Sequence, residues 1–323
     1  MPENSAPSTT VPQHPAQPAP ANPALNRQAL LGVVFALLAA VGFSAKAIFV
    51  KLAYLDTSVD AVTFLALRMA FSVPFFIGVA LWYRYRPAAP LTTHDKLLVL
   101  GLGLVGYYAS SFLDFLGLEY ITAGLERLVL FLYPTFTVVL VALIYKRPIG
   151  RATLAAMALC YAGIVLVFLH EAGVKQGGNL VLGASLVFAS TLTYSLYLVG
   201  AGHAIARIGA TRFTAYAMIV ASAASLLQFA LTRHLGALQF PARVWELSVA
   251  VALFSTVLPV FMLAWAIRRV GSGSASLIGA IGPVSTIYMA YLFLGEKLST
   301  TQIVGSALVM VGVFIVSLYS KRA

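Results

Sequence analysis

The stretch YITAGLERLVLFLYPTFTVVLVALI, Tyr120 to Ile144, decides what kind of fold this chain adopts. It stays predominantly apolar from Leu128 to Ile144, without the alternation of a half-buried β-strand. Roughly 20 helical residues cross a hydrocarbon core about 30 Å thick, and a helix satisfies its own backbone hydrogen bonds there. The stretch therefore predicts a membrane-spanning helix over residues 123–145, with the charged pair Glu126 and Arg127 at its mouth.

The composition extends this reading to the whole chain. Of 323 residues, 60% are hydrophobic and only 10% are charged, and the mean hydropathy is +0.91. Soluble domains contain about one quarter charged residues, so we predict an all-α membrane protein with many spans. The net charge of +11 lies in short loops between apolar runs, which indicates topology and gives no reason to expect nucleic acid as a partner.

Apolar runs of membrane-spanning length recur along the sequence. We predict ten transmembrane helices, over residues 29–50, 61–82, 97–119, 123–145, 152–170, 180–200, 212–232, 246–267, 272–293 and 302–320. Residues 1–26 are rich in Pro, Ala, Ser and Thr and contain few large apolar side chains. They cannot bury enough surface to order themselves, so we expect a disordered cytoplasmic tail.

The basic residues predict the orientation. With the N-terminus in the cytoplasm, thirteen of the 21 lysines and arginines fall inside, five fall outside and three lie within spans. Short cytoplasmic loops carry an excess of Lys and Arg, so both termini are predicted to be cytoplasmic. This orientation requires an even number of spans.

An internal repeat appears when the sequence is shifted by 149 residues. Pro134 then meets Pro283, and Gly163 meets Gly312. Spans 2, 4 and 5 recur in this way as spans 7, 9 and 10, which predicts two five-helix halves over residues 29–170 and 180–320. Because five is odd, the second half must be inverted relative to the first, an architecture typical of carriers that hold their substrate near the midplane.

Two such halves, each with a proline in its fourth span, and the segment LFLGEKLSTTQIVGSALVMVGVFIVSL from Leu292 to Leu318, resemble the EamA-type carriers of the drug/metabolite transporter superfamily. The first half departs from the pattern, since IYKRPIGR (Ile144 to Arg151) lacks the Gly-Glu of GEKL. The resemblance implies a multi-pass carrier of the bacterial inner membrane. Such carriers commonly export amino acids or other small metabolites by alternating access.

Five ionisable residues lie within or at the rim of spans, all in the outer half of the first repeat: Lys46, Arg68, Asp114, Glu126 and Arg127. A charge at mid-bilayer costs roughly 2.5–3.5 kcal/mol on insertion scales, so these residues must face the protein interior, a cavity or the interface. Pairs such as Lys46 with Asp114 and Arg68 with Glu126 would leave a residual positive charge.

Two interpretations of these charges stay open. They form a substrate site that attracts a carboxylate or phosphate and exchanges a proton through Asp114 or Glu126, or they form an ion network that packs helix ends and closes an outer gate. The rim position of Glu126 and Arg127 permits solvation and favours the gate for this pair, whereas Arg68 and Lys46 are deeper.

Polar side chains at helical spacing mark the faces that turn inward. They are Tyr107, Ser110, Ser111 and Asp114 on the third span, Tyr133 on the fourth, and Ser190, Tyr194 and Tyr197 on the sixth. Substrate contacts and hydrogen bonds between packed helices both explain such stripes. Pro134 and Pro283 each remove a backbone hydrogen bond in mid-helix, which favours a hinge or a bend.

Other classes of protein fit the sequence poorly. An intramembrane aspartyl protease needs two embedded carboxylates and a serine protease an embedded histidine, whereas only Asp114 lies well inside a span and His170 lies at a span end. No HExxH or GxxxxGK[ST] motif is present, so we expect no catalytic residues, metal or cofactor, and transport driven by an ion or substrate gradient. The alternative is a multi-pass scaffold or receptor that transports nothing. The sequence assigns no oligomeric state.

Overall fold

The computed structural model describes residues 23–85, 90–146, 148–174 and 179–319. Every regular element in these ranges is helical, as the apolar runs predicted. The helices are α1 Pro23–Asp56, α2 Ala61–Arg84, α3 Thr93–Leu102, α4 Ser110–Leu118, α5 Ala123–Leu130, α6 Tyr133–Tyr145, α7 Arg151–Val174, α8 Leu180–Ile208, α9 Ala210–Thr232, α10 Ala242–Ala252, α11 Leu258–Gly279, α12 Gly282–Leu294 and α13 Thr300–Tyr319. A π-helical segment, Gly103–Ala109, joins α3 to α4, and a second, Leu253–Val257, joins α10 to α11.

Eight helical stretches in the described part of the chain are long and apolar enough to cross a membrane. They are Arg27–Leu55, Ala61–Arg84, Thr93–Leu118, Ala123–Tyr145, Arg151–Gly173, Leu180–Gly202, Ala210–Thr232 and Ala242–Gly271. Two shorter apolar helices, Gly282–Leu294 and Thr300–Val316, follow them. Helix α11 is kinked at Gly271, whose φ of 80° is non-helical, and the predicted ninth span, 272–293, begins directly after this kink. That span is broken again between α11 and α12, and the count of ten spans stays a prediction.

The helix bounds recur with the offset found in the sequence. Helices α2 and α9, α3 and α10, α6 and α12, and α7 and α13 each begin 149 residues apart. The fourth predicted span breaks at Phe131 and Leu132, and the ninth breaks at the matching positions, Ala280 and Ile281. In both cases a proline follows in the first turn of the next helix, where its missing N–H is tolerated.

Helix ends are set by local backbone chemistry as well as by apolar length. Helix α1 begins at Pro23, so the last four residues of the predicted tail are helical, and residues 1–22 lie outside the described part. Helix α8 continues past the predicted end at 200 because Gly209, with a φ of 87°, is the residue that stops it. Lys146 ends α6 with a φ of 52°, where the second half has Gly295 at 65°, so the first half makes the same left-handed turn without glycine.

The helices pack in matching pairs. Helix α2 lies against α9 and α7 against α13, so that each of these helices contacts its own counterpart. Helix α1 packs on α11 and α12, as α8 packs on α4 and α6. The largest buried core joins both halves through Phe64, Met69 and Phe115 on one side and Met218 and Val251 on the other. Beside this core, α1, α4 and α5 meet and bring charged side chains together.

Candidate functional site

Three charged side chains, Lys46 of α1, Asp114 of α4 and Glu126 of α5, form what we call the ion triad. The Lys46 ammonium contacts Asp114 Oδ2 directly and lies 3.1 Å from Glu126 Oε1. The side chains of Asp114 and Glu126 are 3% and 0% exposed, and that of Lys46 is 15% exposed. The predicted pair of Lys46 with Asp114 is confirmed, and Glu126 joins it.

Two carboxylate oxygens of the ion triad have no hydrogen-bond or ion-pair partner among the described residues. Within the ion triad one ammonium faces two carboxylates, so full ionisation of these three groups would leave a net negative charge in a buried place, which is unfavourable unless further cations lie near. Among the described residues, no donor reaches Asp114 Oδ1 or Glu126 Oε2. Buried polar atoms in native proteins are nearly always satisfied, so these two oxygens are where a proton, a water or a ligand would bind.

Glu126 is not at the solvated rim that its place in the sequence predicted, since it is fully buried. The reason is that α5 is a short helix whose sides are covered by α1, α8 and α12. Two hydrogen bonds also fix its N-terminal turn. Thr122 caps the helix, because its Oγ1 accepts from Leu125 N at 3.1 Å, and Oε1 of Glu296, in the loop after α12, accepts from Ala123 N at 3.1 Å. Glu126 therefore belongs to the interior of the molecule.

Arg68 connects the first half to the second. Its Nε donates to Thr256 Oγ1 at 2.9 Å, and its Cζ lies 5.2 Å from the centre of the Phe115 ring. The structure thus gives Arg68 a hydroxyl and an aromatic face instead of the predicted partner Glu126, because Lys46 on α1 stands next to that carboxylate. Nη1 of Arg68 is buried and has no acceptor among the described residues.

Arg127 is partly buried and faces the break between α11 and α12. A Cβ on Gly282 would lie 2.5 Å from its Nη2, so the absence of a side chain at that glycine makes room for the guanidinium. Its Nε finds no acceptor in the described part of the chain. The neighbouring Ser44 of α1 donates to the Gly282 carbonyl at 2.9 Å. Arg127 therefore sits between the two broken helices.

The four predicted tyrosines, Tyr107, Tyr133, Tyr194 and Tyr197, form one tyrosine cluster. The hydroxyls of Tyr107 and Tyr197 are 2.9 Å apart, and the rings of Tyr194 and Tyr197 stack with centroids 5.6 Å apart. Tyr133 meets Tyr194 edge to face, also at 5.6 Å.

Ser111 is partly exposed, and the neighbouring Ser110 makes the interhelical contact. Ser110 Oγ lies 3.1 Å from Ser190 Oγ, which donates to the Ser110 carbonyl at 2.8 Å. The π-helical segment just before Ser110 has a wider turn than an α-helix, so a face drawn at α-helical spacing from Tyr107 goes out of register there. A ligand-binding role for Ser111 stays a prediction.

Sequence reasoning missed Thr256, the hydroxyl partner of Arg68. It lies in the second π-helical segment, in a half whose predicted spans carry charge only at their first residues, Arg212 and Glu246. The repeat held the signal that could have found it, because Thr256 stands 149 residues after Tyr107 and so occupies the same place in the second half.

An ion pair joins the ends of α2 and α9 outside the spans. Arg233 Nε and Nη2 donate to the two carboxylate oxygens of Asp60 at 3.1 and 3.2 Å, and Asp60 also caps α2. Burial raises the pKa of the Asp60 carboxyl, but the hydrogen bonds from Arg233 and Thr63 outweigh it and hold that pKa below its usual value. At the neighbouring Glu119, burial raises the carboxyl pKa.

These features define a multi-pass helical membrane protein with a charged and aromatic interior. The EamA-like transporter family matches residues 30–169 and again residues 181–318, and the chain belongs to this family. It is similar to the "uncharacterized transporter YcbK" of Bacillus subtilis (strain 168), with 31% identity over 295 residues, covering 90% of this chain and 92% of that one.

More distant relatives are also similar over most of this chain. The "uncharacterized transporter YyaM" of Bacillus subtilis is 24% identical over 67% of this chain and 71% of that one. A WAT1-related protein of Arabidopsis thaliana is 20% identical over 82% and 83% of the two chains. A crystal structure that is 20% identical aligns with a TM-score of 0.61 over 92% of this chain and 98% of that one, which shows a shared fold. Family and relatives make this a transporter-family protein with bacterial homologues, and not an enzyme.

Proposed function

We propose that the protein is a secondary transporter that exports small ionised metabolites, such as amino acids, across the bacterial inner membrane by alternating access. The observation that carries the proposal is that buried atoms of four charged side chains have no hydrogen-bond partner among the described residues. These side chains are Arg68, Asp114, Glu126 and Arg127. Ionisable groups inside a membrane protein are expensive and mark substrate or ion pathways.

The arrangement of these groups suits a ligand with both signs of charge. Arg68 and Arg127 offer guanidinium N–H groups to a carboxylate, while Asp114 and Glu126 offer oxygens to an amine. The tyrosine cluster adds aromatic surface to the interior. An amino acid carries this combination of groups, and an uncharged hydrocarbon drug would leave them unpaired.

Alternating access is supported by the two matching halves. We infer that residues 29–170 and 180–320 are inverted repeats, because four helix starts and the two helix breaks recur at one offset and the helices pack in matching pairs. The two π-helical segments overlap at the same offset. Broken helices near the centre of inverted repeats are where carriers hold substrates. The excess of basic residues on one side supports cytoplasmic termini.

The ion triad supplies a route for coupling. Because one ammonium faces two buried carboxylates, a proton on Asp114 or Glu126 would neutralise the ion triad, and its release would favour binding of a cation such as a substrate amine. Export would then be driven by a proton gradient, with exchange against a second substrate as the other source of energy.

Flux into or out of liposomes tests the proposal, with the purified protein and a panel of amino acids, organic acids, nucleosides and cationic drugs. Replacing Arg68 by Ala should lower substrate affinity about 10- to 100-fold, because a charged hydrogen bond contributes about 1.5–3 kcal/mol. The control is Arg151→Ala, an exposed arginine at the start of α7.

Two results would contradict the proposal. Unchanged flux by Arg68→Ala, at unchanged expression and elution, removes Arg68 from the site. Absence of flux for every member of the panel, with and without a proton gradient, favours a membrane scaffold.

A further inference from the structure

A groove lies between the end of α2 and the start of α9, away from the ion triad. Its volume is about 380 Å³, and the residues that line it include Ile77, Leu81, Tyr83, Arg84, Arg212 and Tyr216. Arg68 and Arg84 are 16 residues apart on α2. At 1.5 Å per residue the arginine end of the groove therefore lies about 24 Å along the helix from Arg68, and Ile77, the lining residue of α2 nearest to Arg68, lies about 14 Å from it. It is a separate feature from the transport site.

The polar end of this α2–α9 groove is positively charged. Arg84 lies in the last turn of α2, and the guanidinium carbon of Arg212 lies 5.7 Å from the centre of the Tyr216 ring, which positions it. None of the residues that line the groove is acidic. Two guanidinium groups and two phenol hydroxyls within one groove fit an anion with several oxygens, such as a phosphate.

The N-terminus of α9 adds to the positive potential at this end of the groove. Gly209 occupies the N-cap position, no side chain caps the helix, and its first turn contains no acidic residue. The first N–H groups of a helix have no partner within the helix, and they attract anions when no side chain occupies them. A second, independent feature thus favours negative charge at the same end of the groove.

The other walls of the groove are apolar and open to the outside of the protein. Ile77 and Leu81 are 42% and 47% exposed on a membrane-spanning helix. Trp82 and Tyr85, beside the groove, are 60% and 84% exposed, as is typical of aromatic residues at the membrane–water interface. A free anion in water would gain nothing from these walls, whereas an acyl chain would pack on them.

We propose that the α2–α9 groove binds an anionic phospholipid. Arg84, Arg212 and the start of α9 hold its phosphate, and Ile77 and Leu81 contact its acyl chains. Basic pockets between membrane helices bind lipid headgroups in this way. The site joins the two halves of the chain, since α2 and α9 pack against each other. Lipid binding here does not depend on what the protein transports.

Native mass spectrometry of the intact protein in a neutral detergent tests the site. Dioleoylphosphatidylglycerol, dioleoylphosphatidylcholine and inorganic phosphate are titrated separately against the wild type, Arg84→Gln, and the double variant Arg84→Gln/Arg212→Gln. The matched control is Arg151→Gln/Arg268→Gln, which removes the same net charge from exposed positions outside the groove.

Phosphatidylglycerol should bind more tightly than phosphatidylcholine. Each groove arginine that is lost should weaken its binding about fivefold, and both together about 25-fold, whereas the control should stay within about twofold. Arg84 is exposed at a helix end, so the single variant reports on the site even when the double variant folds poorly. Equal losses in groove and control variants would overturn the proposal, as would inorganic phosphate binding as tightly as phosphatidylglycerol.

Discussion

Replacing Lys46 by Met should strongly destabilise the protein. The substitution keeps the length of the side chain but removes the ammonium that contacts both Asp114 and Glu126. Those carboxylates are 3% and 0% exposed, so water cannot take the place of the lysine without a rearrangement. Removing one partner of a buried ion pair costs about 3–5 kcal/mol. We expect a loss of about 4 kcal/mol, which is about three orders of magnitude in the unfolding equilibrium.

Equilibrium unfolding in mixed micelles, followed by tryptophan fluorescence, measures this loss. The matched control is Lys96→Met, which changes an exposed lysine on α3 and should shift stability by no more than about 0.5 kcal/mol. A compensating variant adds Asp114→Asn and Glu126→Gln to Lys46→Met, which makes all three positions neutral. Because it leaves no unpaired charge within the ion triad, it should recover at least about 2 kcal/mol.

Two outcomes would refute the reasoning about the ion triad. If Lys46→Met lies within about 1 kcal/mol of the wild type, the carboxylates do not depend on the ammonium. If the neutral triple variant is no more stable than Lys46→Met, the loss comes from packing and not from unpaired charge.

Two further predictions concern the ends and the interior of the helices. Asp60→Asn keeps the cap of α2 but breaks the pair with Arg233, and because both side chains are more than one third exposed it should cost only about 0.5–1 kcal/mol in the same unfolding assay. The pKa of Asp60 is lowered in the folded protein, so the wild type should have this advantage above the unfolded pKa of about 3.9 and lose it as pH falls through the folded value; an advantage that grows on acidification would contradict the pairing. Gly106→Ala would drive its Cβ into the root of the Tyr197 side chain, which cannot swing aside, and should cost about 1–3 kcal/mol. Gly101→Ala, whose Cβ meets open space, should be neutral or stabilising, and equal melting temperatures for the two variants would rule out this contact.

Much of the candidate site followed from simple physical rules. Charges inside apolar runs must turn away from lipid, and Lys46, Asp114 and Glu126 do so together. Helical spacing on the third and sixth spans predicted inward faces, and Tyr107 and Tyr197 meet there. These predictions needed only the residues of one span at a time.

Contacts between distant parts of the chain were harder to predict. The pairing of Arg68 with Thr256 joins residues 188 positions apart, and the hydroxyl partner carries no charge that would single it out. Ser110 and Ser111 share one predicted face, but a π-helical segment changes the register there, so Ser110 makes the interhelical contact and Ser111 is partly exposed. The sequence predicts a solvated rim for Glu126, which the structure buries, because position along the chain does not show which helices cover a residue.

The sequence by itself determined that this chain is a helical membrane protein of two similar halves, with its ionisable interior in the first. It could do so because apolar length, the distribution of basic residues and a fixed offset can all be read along the chain. Only the tertiary structure decided which charges meet, that one lysine serves two carboxylates, and that a basic groove opens between α2 and α9. Those facts depend on how the helices pack. Apolar helix faces of similar composition can pack against one another in several ways, and only the complete fold fixes which of these contacts form.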